Sequence, residues 1–331
     1  MAQANPLISR PLPSQSPESG REIRRTVLEA LKESGQLGSL PTDLDQVAEA
    51  CGVEMVSDSA QLRHKYIQSL SPRRQKKASG VFEKLKGIAD LNGGFVWVPD
   101  DRSPKTRAFA KAHELGHHLL KWHGLPLHAA HLDGREDMQR DVRDIFEREA
   151  NFAASELIFQ CGLLKERSAK RNSNTTTLQC PVNLSGRFGA SFQATIIRYV
   201  ETASAPLALG IYYRDSEGPC GLGCFDFWRL FTSLNLTGDA WKPVFPGRID
   251  PAHPWTQSSV SNQVITGKTH GLASGTDPGE SCATPFRWEA WSNSYSIFVL
   301  LRPAHADTTA GTSTATSTST ATSTSTATNA S

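Results

Sequence analysis

His113-Glu114-Leu-Gly-His117 puts two imidazoles and a carboxylate into one short stretch of chain. On an α-helix, residues four apart lie on one face a turn apart, so His113 and His117 can aim ring nitrogens at a single cation while Glu114 stands beside it. Two neutral imidazoles and one more protein ligand suit a tetrahedral Zn2+ with an open fourth position. A neighbouring Glu can then take a proton from the water activated there. The chemistry implied is hydrolysis.

The motif needs a helix, and the flanking residues supply one. Ser103-Pro104 is a good cap and first-turn pair, Phe109, Ala112, Leu115, Gly116, Leu119 and Leu120 recur at helical spacing, and Gly124 is placed to stop the run. A second helix is expected around Asp144 to Ile158, with Val142, Ile145, Phe146, Ala150, Ala153, Leu157 and Ile158 as its apolar stripe. Within it Glu147 shares a stripe with Ala150, Asn151 and Ala154, small neighbours that allow close approach to the histidine helix. A third ligand can come from this helix, and Glu147, Glu149 and Glu156 all lie near its apolar face.

His-Glu-Leu-Gly-His-His-Leu-Leu from His113, followed by Glu147-x-Glu-Ala-Asn-Phe-Ala-Ala-x-x-Leu157, resembles the ImmA/IrrE family of metallopeptidases. The Leu44-x-x-Val-Ala-x-x-Cys-Gly-Val53 run upstream is similar to the family as well, and the resemblance extends from about Arg25 to Ala205. It implies that His113, His117 and Glu147 are the zinc ligands and Glu114 the general base. Its implied substrate is a helix-turn-helix transcriptional repressor, cut in a stress or mobile-element response. The chain departs from the family at Lys121, where a further His is frequent, and at Phe159-Gln160, where Met-Pro is usual.

Composition bounds the rest. A chain of 331 residues is more than one core commonly organises, so two or three domains are expected. With 35 Lys and Arg against 33 Asp and Glu, the formal charge of +2 makes no global electrostatic case for nucleic acid or membrane partners. No window of the chain approaches a membrane-spanning apolar run, and the N-terminus lacks the apolar core of a signal peptide, so a soluble cytoplasmic protein is expected. The six cysteines are scattered along the chain, which argues against a disulfide framework; Cys220-x-x-x-Cys224 resembles half of a zinc site but has no partner pair at recognised spacing.

The fold class expected is α+β: a zincin-like, mostly helical peptidase domain with a small β-sheet, a helix-turn-helix-like segment, and a β-rich, GAF-like C-terminal domain. The boundaries are a disordered leader over 1–24, the peptidase over 25–170, a linker and helical segment over 171–204, the β-rich domain over 205–303 and a disordered Thr/Ser/Ala tail over 304–331. Short helices are expected near Arg25 to Ser34, Asp43 to Cys51 and Leu62 to Ser69. A hairpin or small sheet is expected from Val81 through an Asn92-Gly93-Gly94 turn to Val98. Between the metal helices, His123, His128 and His131 read as solvated or supporting residues. Lys165 to Thr177 reads as a linker or exposed loop.

From Leu184 to Val200 the cadence is that of a helix-turn-helix, with Gly189 at the turn and Ser191 as cap. Its second helix offers only Gln193 and Arg198 beside Glu201, which disfavours direct DNA reading. Strands are expected at Leu207 to Tyr213, Val260 to Thr266 and Tyr295 to Leu301, in a region holding Trp228, Trp241, Trp255, Trp288 and Trp291. The competing function is a non-catalytic regulator that keeps the peptidase fold as a scaffold and binds DNA or a small-molecule signal.

Overall fold

The computed structural model describes residues 17–56, 88–90, 94–100, 103–123, 136–171, 178–215, 223–237, 244–261, 263–271, 284–293 and 295–304. The expected helix at Leu62 to Ser69, the Asn92-Gly93 part of the turn, Trp241 and the Thr/Ser/Ala tail lie outside these residues. The described residues form a mixed α+β structure with eight α-helices and nine strands.

Helix α1 runs from Pro17 to Glu33, so it begins inside the stretch expected to be a disordered leader. The reason is a stripe of Ile23, Val27, Ala30 and Leu31 that is fully buried against the rest of the chain and offsets the polar composition around it. Helix α2, Leu44–Ala50, is capped by Asp43, whose carboxylate accepts from the backbone N–H groups of Asp45 and Gln46. Gly52 follows at φ +70°, the left-handed turn that releases the chain into strand β1, Glu54–Val56.

Strands β2 (Ile88–Asp90) and β3 (Phe95–Trp97) pair antiparallel, and β1 joins the other edge of β3 in parallel. This three-stranded sheet carries the histidine helix. Helix α3, Pro104–Leu119, starts at Ser103, whose hydroxyl accepts from Thr106 N–H at 3.3 Å. It ends five residues before Gly124, the expected stop; a 3-10 turn at Lys121–His123 follows and folds back. His118 Nε2 lies 3.2 Å from the Phe95 carbonyl, tying α3 to β3.

Helix α4, Glu136–Phe159, is longer than expected, and it leaves Ile145 exposed rather than in the apolar stripe. At its end Gln160 and Cys161 adopt left-handed backbone conformations. There the Gln160 amide donates to the carbonyls of Gln36 and Ser39 and accepts from Gly38 N–H, so this polar residue, where Met-Pro is usual, anchors the loop between α1 and α2. Helix α5, Leu163–Arg171, occupies most of the stretch expected to be a linker, because Leu164 is a buried anchor.

Helices α6 (Gln179–Arg187) and α7 (Phe192–Thr202) form the expected helical pair, with Gly189 at φ +63° and Ser191 capping Ala194 N–H. The face of α7 is spent inside the protein. Arg198 is buried and pairs with the fully buried Glu156 of α4, and Arg24 of α1 reaches the same carboxylate at 3.1 Å. The two guanidinium groups stand 5.2 Å and 5.5 Å from the centre of the Phe152 ring. Gln193 is hydrogen-bonded to Tyr213 at 3.0 Å. Both side chains that could have read bases are therefore engaged within the chain.

The C-terminal part is a six-stranded sheet in the order β6-β5-β4-β9-β8-β7, built from Arg248–Ile249, Phe225–Thr232, Ala208–Arg214, Ser296–Pro303, Thr284–Ser292 and Ile265–Gly271. Every neighbouring pair is antiparallel. The expected strand at Val260 to Thr266 begins instead at Ile265, and Val260 lies in a short helix α8, Gln257–Ser261. One face of the sheet, with Leu209, Ile211, Phe298 and Leu300, packs into the core that also holds Leu115, Leu157 and Leu184 from the helices. The other face, with Tyr212, Phe225, Ile297 and Val299, closes over Trp255 as a second core. Among the described residues no helix is long and apolar enough to cross a membrane.

Candidate metal centre

Helices α3 and α4 can approach closely because Gly116 faces Ala150 and Ala153; a Cβ at Gly116 would stand 3.1 Å from the Ala150 carbonyl oxygen and from the Ala153 Cβ. Gly116 is one residue before His117, and Ala150 is one turn beyond Glu147. The close approach therefore delivers the carboxylate of α4 to the imidazoles of α3.

His113 Nε2 lies 3.3 Å from Glu147 Oε2, and His117 Nε2 lies 3.8 Å from Glu147 Oε1. One donor atom from each of the three residues falls within 4.8 Å of the others. Zinc bonds of about 2.0–2.1 Å in a tetrahedron put donor atoms about 3.4 Å apart. Two imidazole nitrogens and a carboxylate with these separations fit a zinc ion in both chemistry and spacing. The two imidazoles are mostly buried, whereas the Glu147 side chain is 52% exposed, so the cluster opens to solvent on the α4 side.

The electrostatics follow from that placement. Burial, then the neighbouring His113 and His123 rings, push His117 down to about 4, so it is neutral and keeps a lone pair at ordinary pH. Burial also acts to lower His113, but its hydrogen bond to Glu147 and the charges of Glu114 and Glu147 outweigh that and raise it. The His113 hydrogen bond holds Glu147 below the usual carboxylate range. Glu114 moves the other way: burial, reinforced by the Glu147 charge, pushes it up to about 7.

The far side of each imidazole is also occupied. His113 Nδ1 lies 3.1 Å from Asn151 Oδ1, and His117 Nδ1 lies 2.9 Å from His123 Nδ1. His123 is fully buried, stacked on Phe146 with ring centres 4.3 Å apart, and its Nε2 lies 3.0 Å from Glu149 Oε2. Trp122 Nε1–H donates to the same Glu149 oxygen at 2.7 Å, and Ser19 of α1 donates to the other at 2.6 Å. Burial opposes ionisation of Glu149, yet these hydrogen bonds outweigh it and hold its carboxyl below the ordinary value.

The three acidic candidates of α4 are thus separated. Glu147 faces the two imidazoles, Glu149 faces His123, Trp122 and Ser19, and Glu156 faces Arg198 and Arg24. Of the loop histidines, His123 is buried rather than solvated, while His128 and His131 lie outside the described residues. Cys51, Cys161, Cys180 and Cys224 form no disulfide with one another; Cys220 and Cys282 lie outside the described residues. Sequence reasoning placed His123 only as a bystander or support. The signal that could have singled it out is its distance of six residues from His117, just past the end of the helix.

No curated protein matches the chain. Among solved structures it is similar to a Mycobacterium tuberculosis transcriptional regulator, at 14% identity and a TM-score of 0.47, over 86% of this chain and 76% of that one. Residues 69–199, which contain both metal-facing helices, match the family model of the IrrE N-terminal-like domain, Peptidase M78. That segment carries the likeness to the IrrE N-terminal-like peptidase domain of the ImmA/IrrE family.

Proposed function

We propose that the protein is a zinc-dependent endopeptidase of zincin-like design, with His113, His117 and Glu147 as metal ligands and Glu114 as general base. The observation that carries the reading is the meeting of two mostly buried imidazoles, a solvent-facing carboxylate and a half-buried Glu whose pKa is pushed up at one junction of two helices. A zinc ion held by these ligands supplies Lewis acidity that makes water nucleophilic near neutral pH and polarises a carbonyl. Glu114, one residue from His113, takes the proton of the attacking water and passes it to the leaving amine. A carboxyl poised near 7 by burial suits both halves of that transfer.

The family resemblance supports a protein substrate, and we read it as a helix-turn-helix repressor cut in the cytoplasm during a stress or mobile-element response. The six-stranded sheet following the peptidase segment is read as a GAF-like sensor module, on its position and its antiparallel order. Glu114→Gln tests the catalytic part. Zinc content should stay near one ion per chain while cleavage of a co-expressed repressor falls by about 10²–10⁴-fold. Full cleavage by a zinc-loaded Gln variant would remove Glu114 from the mechanism. Zinc uptake without cleavage by the unaltered protein, together with a salt-dependent shift of specific DNA, would favour the non-catalytic regulator.

A further inference from the structure

The hydrogen bonds behind His117 admit one arrangement of protons. Glu149 Oε2 receives the indole N–H of Trp122, a group that can only donate, so this oxygen is an acceptor. Ser19 donates to the other oxygen at 2.6 Å, so both oxygens accept and the group is a carboxylate with no proton to give. The His123 Nε2, 3.0 Å from Glu149 Oε2, must then carry its own proton and donate. In a neutral His123 the other nitrogen, Nδ1, is left with a lone pair. It sits 2.9 Å from His117 Nδ1, so His117 must hold its proton on Nδ1 and donate to His123. The nitrogen left bare on His117 is Nε2, the one that faces Glu147.

We propose that His123 and Glu149 are positioning residues: a buried carboxylate–imidazole relay that fixes His117 as the tautomer whose Nε2 can ligate a metal. The proposal rests on the reading of His117 as a ligand and adds residues that this reading does not contain. The relay is built to hold its direction. Phe146 stacks on the His123 ring and restricts its rotation, and Glu149 is pinned by Ser19 from α1 as well as by Trp122 from the turn after α3. His113 needs no such relay, because Asn151 Oδ1 is an acceptor adjoining its Nδ1. Hydrogen-bond partners that orient a metal-bound imidazole contribute typically about 10–100-fold in metal affinity.

The test compares the full-length protein with His123→Leu, His123→Gln and Glu149→Leu by two readouts. The first is the zinc dissociation constant from competition with a chelator. The second is the tautomer of His117 in the metal-free protein, read from long-range proton–nitrogen correlations after ¹⁵N-histidine labelling. His123→Leu and Glu149→Leu should weaken zinc by about 10–100-fold and give His117 a mixture of tautomers. His123→Gln keeps one acceptor and one donor, so it should stay within a few-fold of wild type, which a purely space-filling role of the ring does not predict. Should the Leu variants fail to fold, the wild-type tautomer and the Gln variant still decide: a wild-type His117 protonated on Nε2 overturns the relay. So does an unchanged zinc constant with an unchanged tautomer in folded His123→Leu. Absence of zinc binding by the wild type, with the expected tautomer present, would instead sink the metal reading and leave the relay standing.

Discussion

Glu147 joins two imidazoles from a solvent-facing position, and no other carboxylate among the described residues of α4 faces them. Glu147→Ala should therefore lower bound zinc well below one ion per chain after dialysis against a weak chelator. It should leave the fold intact, because substitutions of largely exposed side chains usually change stability by no more than about 0.5 kcal/mol. Metal analysis beside a thermal melt checks both parts; full zinc retention would move the third ligand off Glu147. At this scale the meeting of His113, His117 and Glu147 was legible. A four-residue spacing on a helix fixes which side chains share a face, and spacing is visible in sequence. The resemblance separated Glu147 from Glu149 and Glu156, a choice that periodicity alone left open. The partners of Glu149 and Glu156 were not legible, because Ser19, Arg24 and Arg198 reach them from far along the chain. His123 was hidden for a related reason: its role depends on a short turn folding back over α3, and no local pattern encodes that direction.

Among the elements, α3 and α4 matter most to the site, and Gly116 sets their separation. Gly116→Val would favour the isolated helix slightly, since Gly is a poor helix former by about 1 kcal/mol. Against that, two added methyl groups would project beyond a Cβ already 3.1 Å from Ala150 and Ala153. Overpacking costs about 1–3 kcal/mol and occasionally more, so the variant should be less stable by about 2 kcal/mol. It should also bind zinc more weakly than its residual fold accounts for, as Glu147 is carried away from the imidazoles. Denaturant titration combined with chelator competition checks both; wild-type zinc affinity in the folded variant would show that the helix spacing is not what places Glu147. Capped elements were the readable ones. Asp43, Ser103 and Ser191 cap as their residue types predict. Strands β5 and β8 were not read, because Phe-Asp-Phe-Trp-Arg-Leu-Phe-Thr and Thr-Pro-Phe-Arg-Trp-Glu-Ala-Trp-Ser lack clean alternation: aromatic side chains pack on both sides of the sheet.

At the scale of the whole molecule, the peptidase helices, the α6–α7 pair and one sheet face share a continuous apolar core. Composition along the chain shows changes of character near 170 and 205, but it cannot show that the apolar surfaces on either side meet. Glu289 of β8 is a polar tie across this junction, accepting the Leu178 N–H that leads into α6 at 2.6 Å. Burial pushes the Glu289 carboxyl above its ordinary value, more than the Leu178 hydrogen bond and the charge of Arg302 pull it down. The folded state therefore holds this proton more tightly than the unfolded chain, whose Glu titrates near about 4.3. Below that pH both states are protonated and the group contributes nothing. As pH rises from the unfolded value through the higher folded value, the unfolded chain releases the proton first, and stability falls until both states are ionised. Glu289→Gln keeps an acceptor for Leu178 and removes the titration, so its stability relative to wild type should rise from about pH 4 upward and level off once the folded protein has also released the proton. Paired denaturation curves across that range measure the difference directly. A difference that stays flat, or that runs in favour of wild type as pH rises, would mean that Glu289 is ionised at no net cost and that the junction holds its charge by a stronger partner than the Leu178 amide.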